Sequence, residues 1–313
     1  MRPFRFLADP GEITDARSVA DAARRAEAIG IDVLVIPDHV VQPMAPLPVL
    51  AAIAAAAERV RIGTFVLNND LRHPAVLAQE LATLDGLSGG RLEIGIGAGW
   101  NRPEYEAVGL AFDPVRVRVD RLEESIRVLK GCFADGPFSF AGAHYTLTDY
   151  EGVLKPVQRP HPPFFIGGGG RRLLTLAARE ADAVGLAPRT LPNVRGDPRS
   201  VTMAATEEKI GWVREAAGDR FGDLELNVYP SLTGVTVTDQ PRKAGAELAE
   251  RLRDRTGVEM SVDDLLESPH IFISTTDGFV EKFTVLRERL GISSIMVGSL
   301  GELDAVVERL AGT

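Results

Sequence analysis

Eight strand-length apolar runs are spaced along this chain, and a helix-length stretch follows each one. The runs are FRFLA, DVLVIPDH, VRIGTFVL, RLEIGIGAG, PFFIGGG, DAVGLAP, LELNVYP and ISSIMVGS. Each is apolar almost throughout rather than alternating, as strands are when both faces are covered. Regular strand-helix alternation builds a parallel sheet. Eight such units in 313 residues fit a closed (β/α)8 TIM barrel of the α/β class; an open doubly wound sheet is the rival arrangement. Local signals agree. Thr14 stands as N-cap before the first helix and Gly30 stops it, and Pro74 suits the first turn of the third. No charge shift or low-complexity linker divides the chain, so residues 1–313 are expected to form one barrel domain.

Insertions are expected in the loops after strands 4 and 6 and near strand 7. GPFSFAGAHYTLTDYEGVLKPVQRPHPP, between the fourth helix and the fifth strand, has hairpin-like alternation. APRTLPNVRGDPRS, after the sixth strand, reads as a long mobile loop. Loops that follow strands lie on the catalytic face of such barrels.

A net charge of −9 argues against a nucleic-acid or membrane partner and leaves a small-molecule substrate. One cysteine, Cys132, allows no internal disulfide and fits a cytoplasmic setting; its apolar surroundings make it a buried small hydrophobe. The N-terminus lacks a signal-peptide pattern. The five histidines are scattered, so no metal is expected. GLSGG, residues 86–90, has the letters of a nucleophile elbow, but its order of helix, turn, strand makes Ser88 a helix cap.

RLEIGIGAGW, residues 91–100, partly matches a dinucleotide fingerprint through Gly95, Gly97 and Gly99. That fingerprint belongs after the first strand of its unit, and here the third glycine comes too early. The alternative is a barrel strand whose glycines clear room for a flat ligand. The other strand ends suit that reading. The second ends in Asp38-His39, the third in Phe65-Val66-Leu67-Asn68-Asn69, the fourth in Ala98-Gly99-Trp100-Asn101, the fifth in Gly167-Gly168-Gly169-Gly170-Arg171, and the seventh in Asn227 and Tyr229. Small and aromatic residues dominate, which favours a planar heterocycle over a hydrolytic substrate. GGGGRR before a helix offers backbone N–H groups, the helix dipole and Arg171 to a phosphate. Asp38 and His39 either bridge neighbouring loops or exchange a proton during hydride transfer.

Four stretches carry a family resemblance: AEAIGIDVLVIPDH, RIGTFVLNNDLRHPAVLAQELATLDGLSGGRLEIGIGAGWNRPEYEAVG, PVQRPHPPFFIGGGGRRLLTLAAREADAVGL and GISSIMVG. With them the chain resembles the bacterial luciferase-like monooxygenase superfamily, and within it the coenzyme F420-dependent oxidoreductase branch. The resemblance implies that His39 and Asp38 lie beside the cofactor ring as catalytic residues. It implies a cis peptide at Phe65-Val66, with these two and Asn68, Ala98, Gly99 and Asn101 lining the cofactor site. Gly167, Gly168, Gly169, Gly170 and Arg171 would hold the phosphate. Sugar-phosphate dehydrogenases of the branch carry a glutamate where this chain has Trp100, which speaks against glucose 6-phosphate; Glu104 is the nearest carboxylate.

The implied activity is F420-dependent oxidoreduction, a hydride moving between the deazaflavin C5 and a small organic substrate. An FMN-dependent monooxygenase is the alternative, and a deazaflavin-binding protein without turnover a third. The acidic F420 tail would draw on Arg171, Arg172, Arg189, Arg195 and Arg199. Relatives of this kind suggest a homodimer.

Overall fold

The computed structural model describes residues 1–42, 44–152, 154–190 and 196–313. Its eight principal strands are β1 (Arg5–Asp9), β2 (Val33–Ile36), β3 (Arg61–Thr64), β4 (Leu92–Gly97), β5 (Phe164–Gly168), β6 (Ala183–Leu186), β7 (Glu225–Val228) and β8 (Ile292–Ser299). Every sequential pair is parallel, and β1 pairs with β8 through Arg5↔Ser294, Phe6↔Ile295 and Leu7↔Met296. The sheet is therefore closed, a (β/α)8 barrel rather than an open doubly wound sheet.

The barrel helices span Ala16–Ile29, Pro46–Ala56, Pro74–Leu87, Val115–Phe133, Arg171–Glu180, Met203–Ala217, Thr276–Leu290 and Asp304–Leu310. The first starts one residue later than the sequence suggested. Asp15, not Thr14, is the N-cap, because its carboxylate and the Ser18 hydroxyl form a reciprocal capping box. Gly30 ends that helix at φ 88°, a left-handed conformation that suits glycine. Pro74 opens its helix and Ser88 caps the other end, so Ser88 is structural. Cys132 is buried.

The two faces of the sheet have different cores. Outward residues such as Phe6, Leu34, Ile62, Ile94, Ile166 and Val228 join the large cluster under the helices. Inward residues Leu7, Val33, Val35 and Met296, with Phe65 and Tyr229, form a small apolar collar inside the barrel. Two residues toward the strand starts the interior is charged: Arg5 and Arg61 both pair with Glu93, and Arg5 reaches Glu225 at 3.0 Å. That period-two step is the alternation of side chains along a strand.

β3 is interrupted. The peptide between Phe65 and Val66 is cis, and the strand resumes at Leu67–Asn68, paired with Ile96 and Gly97 of β4. The hairpin expected before β5 is present, Phe138–Ala141 against Thr146–Tyr150. The loop after β4 carries a short helix, Arg102–Ala107. The largest insertion follows β7 and holds helices Pro241–Thr256 and Val262–Glu267 over a small core of its own. Among the described residues no helix is long and apolar enough to cross a membrane.

Lysines on two barrel helices anchor this insertion and the loop after β6. Lys282 Nζ donates to the carbonyls of Leu266 (2.9 Å) and Ile271 (2.6 Å). Lys209 Nζ donates to those of Ala187 and Ser200, both at 2.7 Å. His270 is wholly buried, with Nδ1 at 3.4 Å from Ser231 Oγ and, among the described residues, no hydrogen-bond partner at Nε2. Burial, with the charge of Lys209 nearby, pushes His270 down to about 3. An unfolded histidine titrates near 6.5, so between these two pH values the unfolded chain holds the extra proton. Stability from this group is complete above about pH 6.5 and is lost as pH falls toward 3. His270→Gln keeps a neutral polar side chain. Its urea midpoint is expected to drop less than that of the wild type between about pH 7 and about pH 5; equal drops would show that the imidazole is not responsible.

Candidate active site

Missing side chains shape the upper end of the barrel. A Cβ on Gly95 would overlap the Thr64 carbonyl oxygen, and one on Gly97 would stand 2.9 Å from Val66 Cγ2. Thr64 Oγ1 donates to the Gly95 carbonyl at 2.7 Å and accepts from the Gly95 N–H at 3.0 Å. The two glycines thus admit the bulge of β3 at Phe65-Val66. Gly185 similarly lies under the Phe165 ring. The result is an aromatic floor: Phe65 is 5.0 Å from Phe165 and 5.5 Å from Tyr229, centroid to centroid.

Asp38 and His39 follow β2 at the same mouth, and the structure separates their roles. Asp38 is 5% exposed. Its carboxylate accepts from Arg72 at 2.6 and 3.2 Å and from the Asn68 N–H at 3.1 Å. It therefore ties the end of β2 to the loop after β3, the loop-bridging alternative. His39 turns the other way. Its Nδ1 is 2.9 Å from Glu104 Oε2, where the angle suits a hydrogen bond, and 2.8 Å from Oε1, at ion-pair distance only. Glu104 is buried at 5% exposure on the short helix after β4. The Trp100 ring meets His39 edge-on at 5.6 Å.

The loop carrying Ala98, Gly99, Trp100 and Asn101 is clamped from below. Arg118 Nη1 donates to the Ala98 carbonyl at 3.0 Å and to that of Gly99. Gly99 sits at φ 72°, and a Cβ there would overlap the Tyr105 hydroxyl. That hydroxyl lies 2.9 Å from Asn68 Oδ1 and 3.0 Å from Asp70 Oδ2. Burial, then the Asp70 charge, pushes Tyr105 up to about 12, so it stays a neutral donor. Arg121 bridges Asp70 at 2.9 Å and Asp113. Asn68, Ala98 and Gly99 are thus fixed by the protein, and Asn101 caps the short helix. Sequence reasoning assigned no role to Arg72, Tyr105 or Arg118. Each acts through a partner remote in sequence, so no local pattern marks it.

The glycine run bends after β5 at this mouth. Gly167 and Gly168 end the strand, and a Cβ on Gly169 would overlap the Pro188 carbonyl. Gly170 is the N-cap of Arg171–Glu180, makes no side-chain cap and has open space where a Cβ would stand. That is an anion-binding geometry, exposed N–H groups at the positive end of a helix dipole. Arg171 is not folded over it: its guanidinium pairs with Glu215 at 2.8 Å. Arg172 pairs with Asp120, and Arg189 stands 3.7 Å from Glu208 and over Trp212. Arg199 lies on the short turn Pro198–Ser200. Arg195 falls outside the described residues.

A model of the luciferase-like monooxygenase family matches residues 1–209. An F420-dependent glucose-6-phosphate dehydrogenase of Nakamurella multipartita is 31% identical over 256 residues, 77% of this chain and 71% of that protein. An FMNH(2)-dependent dimethylsulfone monooxygenase of Pseudomonas putida is 38% identical over 131 residues, but the chain spans only 36% of its length. In architecture, the F420-dependent tetrahydromethanopterin reductase of Methanopyrus kandleri superposes with a TM-score of 0.75 at 19% identity, covering 99% of this chain and 98% of that one.

Two glycine substitutions separate fold from site. Gly95→Ala drives a Cβ into a backbone carbonyl and should cost more than about 3 kcal/mol or prevent folding. Gly170→Ala, at φ −109° with open space, should stay within about 0.5 kcal/mol of wild type. Urea denaturation of both variants checks this.

Proposed function

Since the chain belongs to the luciferase-like monooxygenase family, we propose that it is an F420-dependent oxidoreductase acting on a small organic substrate at the upper mouth of the barrel. The observation that carries this reading is the His39–Glu104 pair, set at the same barrel mouth as an aromatic floor from which side chains have been cleared. The relative matched along 71% of its own length is named as F420-dependent, which favours the deazaflavin over FMN.

The residues present fit such a cofactor. Phe65, Val66 and Phe165 offer an apolar bed for a tricyclic ring. Gly170, where a Cβ would point into open space, leaves its bend free for a phosphate. When bound, the deazaflavin supplies a two-electron hydride acceptor or donor. This chain's own side chains do the rest. Glu104 accepts from His39 Nδ1, which fixes the ring and leaves Nε2 to exchange a proton with the substrate oxygen. Buried Glu104 also stabilises the imidazolium formed when Nε2 takes a proton. Asp38, already committed to Arg72 and Asn68, is a positioning residue rather than a proton carrier. Arg118 and Tyr105 hold the loop that brings Trp100 and Glu104 to His39.

The alternative, a reduced-FMN monooxygenase, has support in the dimethylsulfone monooxygenase match over part of the chain. Anaerobic titration with F420 and FMN in parallel decides between them. The expected result is a saturable F420 absorbance change at a lower concentration than any FMN response, and turnover that does not require oxygen. Tighter FMN binding with oxygen-dependent turnover would replace this reading with the alternative. His39→Gln is expected to lower turnover by about 10²-fold or more while F420 still binds; undiminished turnover would remove His39 from the chemistry.

A further inference from the structure

We propose that the sector of the mouth formed by Trp100, His39 and Glu104 takes an uncharged hydroxyl or carbonyl compound bearing an apolar substituent, with Trp100 as the specificity-determining wall. The inference rests on the preceding reading for its reaction, but its recognition argument stands on the charges and exposures of this sector alone.

The cations come first. Four arginines flank this sector among the described residues, and each is engaged. Arg102 lies over the Phe112 ring and 3.9 Å from Glu106. Arg72 is bidentate on buried Asp38. Arg118 donates to the carbonyls of Ala98, Gly99 and Asp113. Arg121 bridges Asp70 and Asp113. A phosphate or carboxylate on the substrate would therefore find none of these guanidinium groups unpaired, and it would approach the Glu104 carboxylate. Desolvating an anion without a partner is costly.

A cationic substrate fares no better. Glu104 is the nearest anion, but it is 5% exposed and engaged by His39 Nδ1. An ammonium group would have to break that contact to reach it.

Exposed apolar side chains stand beside His39 in this sector, with the charged Arg102 and Glu106 farther along the short helix and paired to each other. Trp100 is 39% exposed with its ring edge-on to His39, and Val40 and Val41, which directly follow His39, are 45% and 68% exposed. A molecule whose oxygen reaches His39 Nε2 thus lays its remaining atoms against the indole. One polar contact beside an apolar wall favours a neutral compound with a hydrocarbon body.

The chain has two tryptophans. Trp212, under Arg189 on the Met203–Ala217 helix, lies outside this sector, so Trp212→Phe leaves Trp100 as the sole indole reporter. The W212F protein is titrated, with and without saturating F420, against cyclohexanol, cyclohexanecarboxylate, cyclohexylammonium and glucose 6-phosphate while Trp100 emission is followed. Cyclohexanol is expected to give a saturable change with a dissociation constant about tenfold or more below those of the charged probes. By calorimetry, Trp100→Glu should weaken cyclohexanol by about tenfold or more with F420 affinity retained; Trp100→Ala serves if that variant does not fold. Equal or tighter binding of a charged probe, or no saturable response to cyclohexanol, overturns the proposal. An intact cyclohexanol response without F420 binding would instead strike the cofactor reading and leave this one standing.

Discussion

The upper end of this barrel depends on how closely β3 approaches β4. Thr64 and Gly95 exchange hydrogen bonds through one hydroxyl, and the space a Cβ of residue 95 would need is taken by the Thr64 carbonyl. Because the strands meet so closely, the chain can swing at Phe65-Val66 and then rejoin β4 at Leu67–Asn68. The aromatic floor, the anchoring of Asn68 to Asp38 and the position of Tyr105 all follow from that excursion. Packed interiors tolerate little added volume, so one methyl group in the wrong place would disturb the whole sequence of contacts.

The mouth divides its labour between residues of similar kind. Asp38 and Glu104 are both buried carboxylates, but Asp38 faces a guanidinium and a backbone amide while Glu104 faces an imidazole. The first arrangement stiffens two loops. The second orients a side chain that can change its proton count. Arg118, Arg121 and Tyr105 add a polar lattice under the β4 loop, and buried lattices of this kind rigidify when every member has a partner. The tip of the loop, with Trp100, is left as the more open part.

Much of this was legible in the residue pattern, and the exceptions have physical causes. Continuous apolar runs gave away the buried strands, and helix signals such as Pro74 and Gly30 marked boundaries because they act within one turn of chain. Asp38, His39 and the glycine bend could be placed because strand ends in a parallel barrel share one mouth. The partner of His39 could not be identified that way. Glu104 is 65 residues away and reaches the imidazole only through a short helix whose position depends on Arg118 and Tyr105. The outward turn of Arg171 toward Glu215 was equally hidden, since a partner 44 residues on decides it. The Asp15 capping box displaced Thr14 because two reciprocal bonds outweigh one.

The interior of the cylinder is stratified, with the Arg5, Arg61, Glu93 and Glu225 ring below and the collar of Leu7, Val33, Val35 and Met296 above. Hydrocarbon carries no protons. A hydrogen ion leaving or reaching His39 therefore does not pass down the barrel; the imidazole, 21% exposed, meets solvent at the mouth, beside the indole. A ligand settled on that surface covers the imidazole as well, so ligand residence and acid-base recovery at this site are linked.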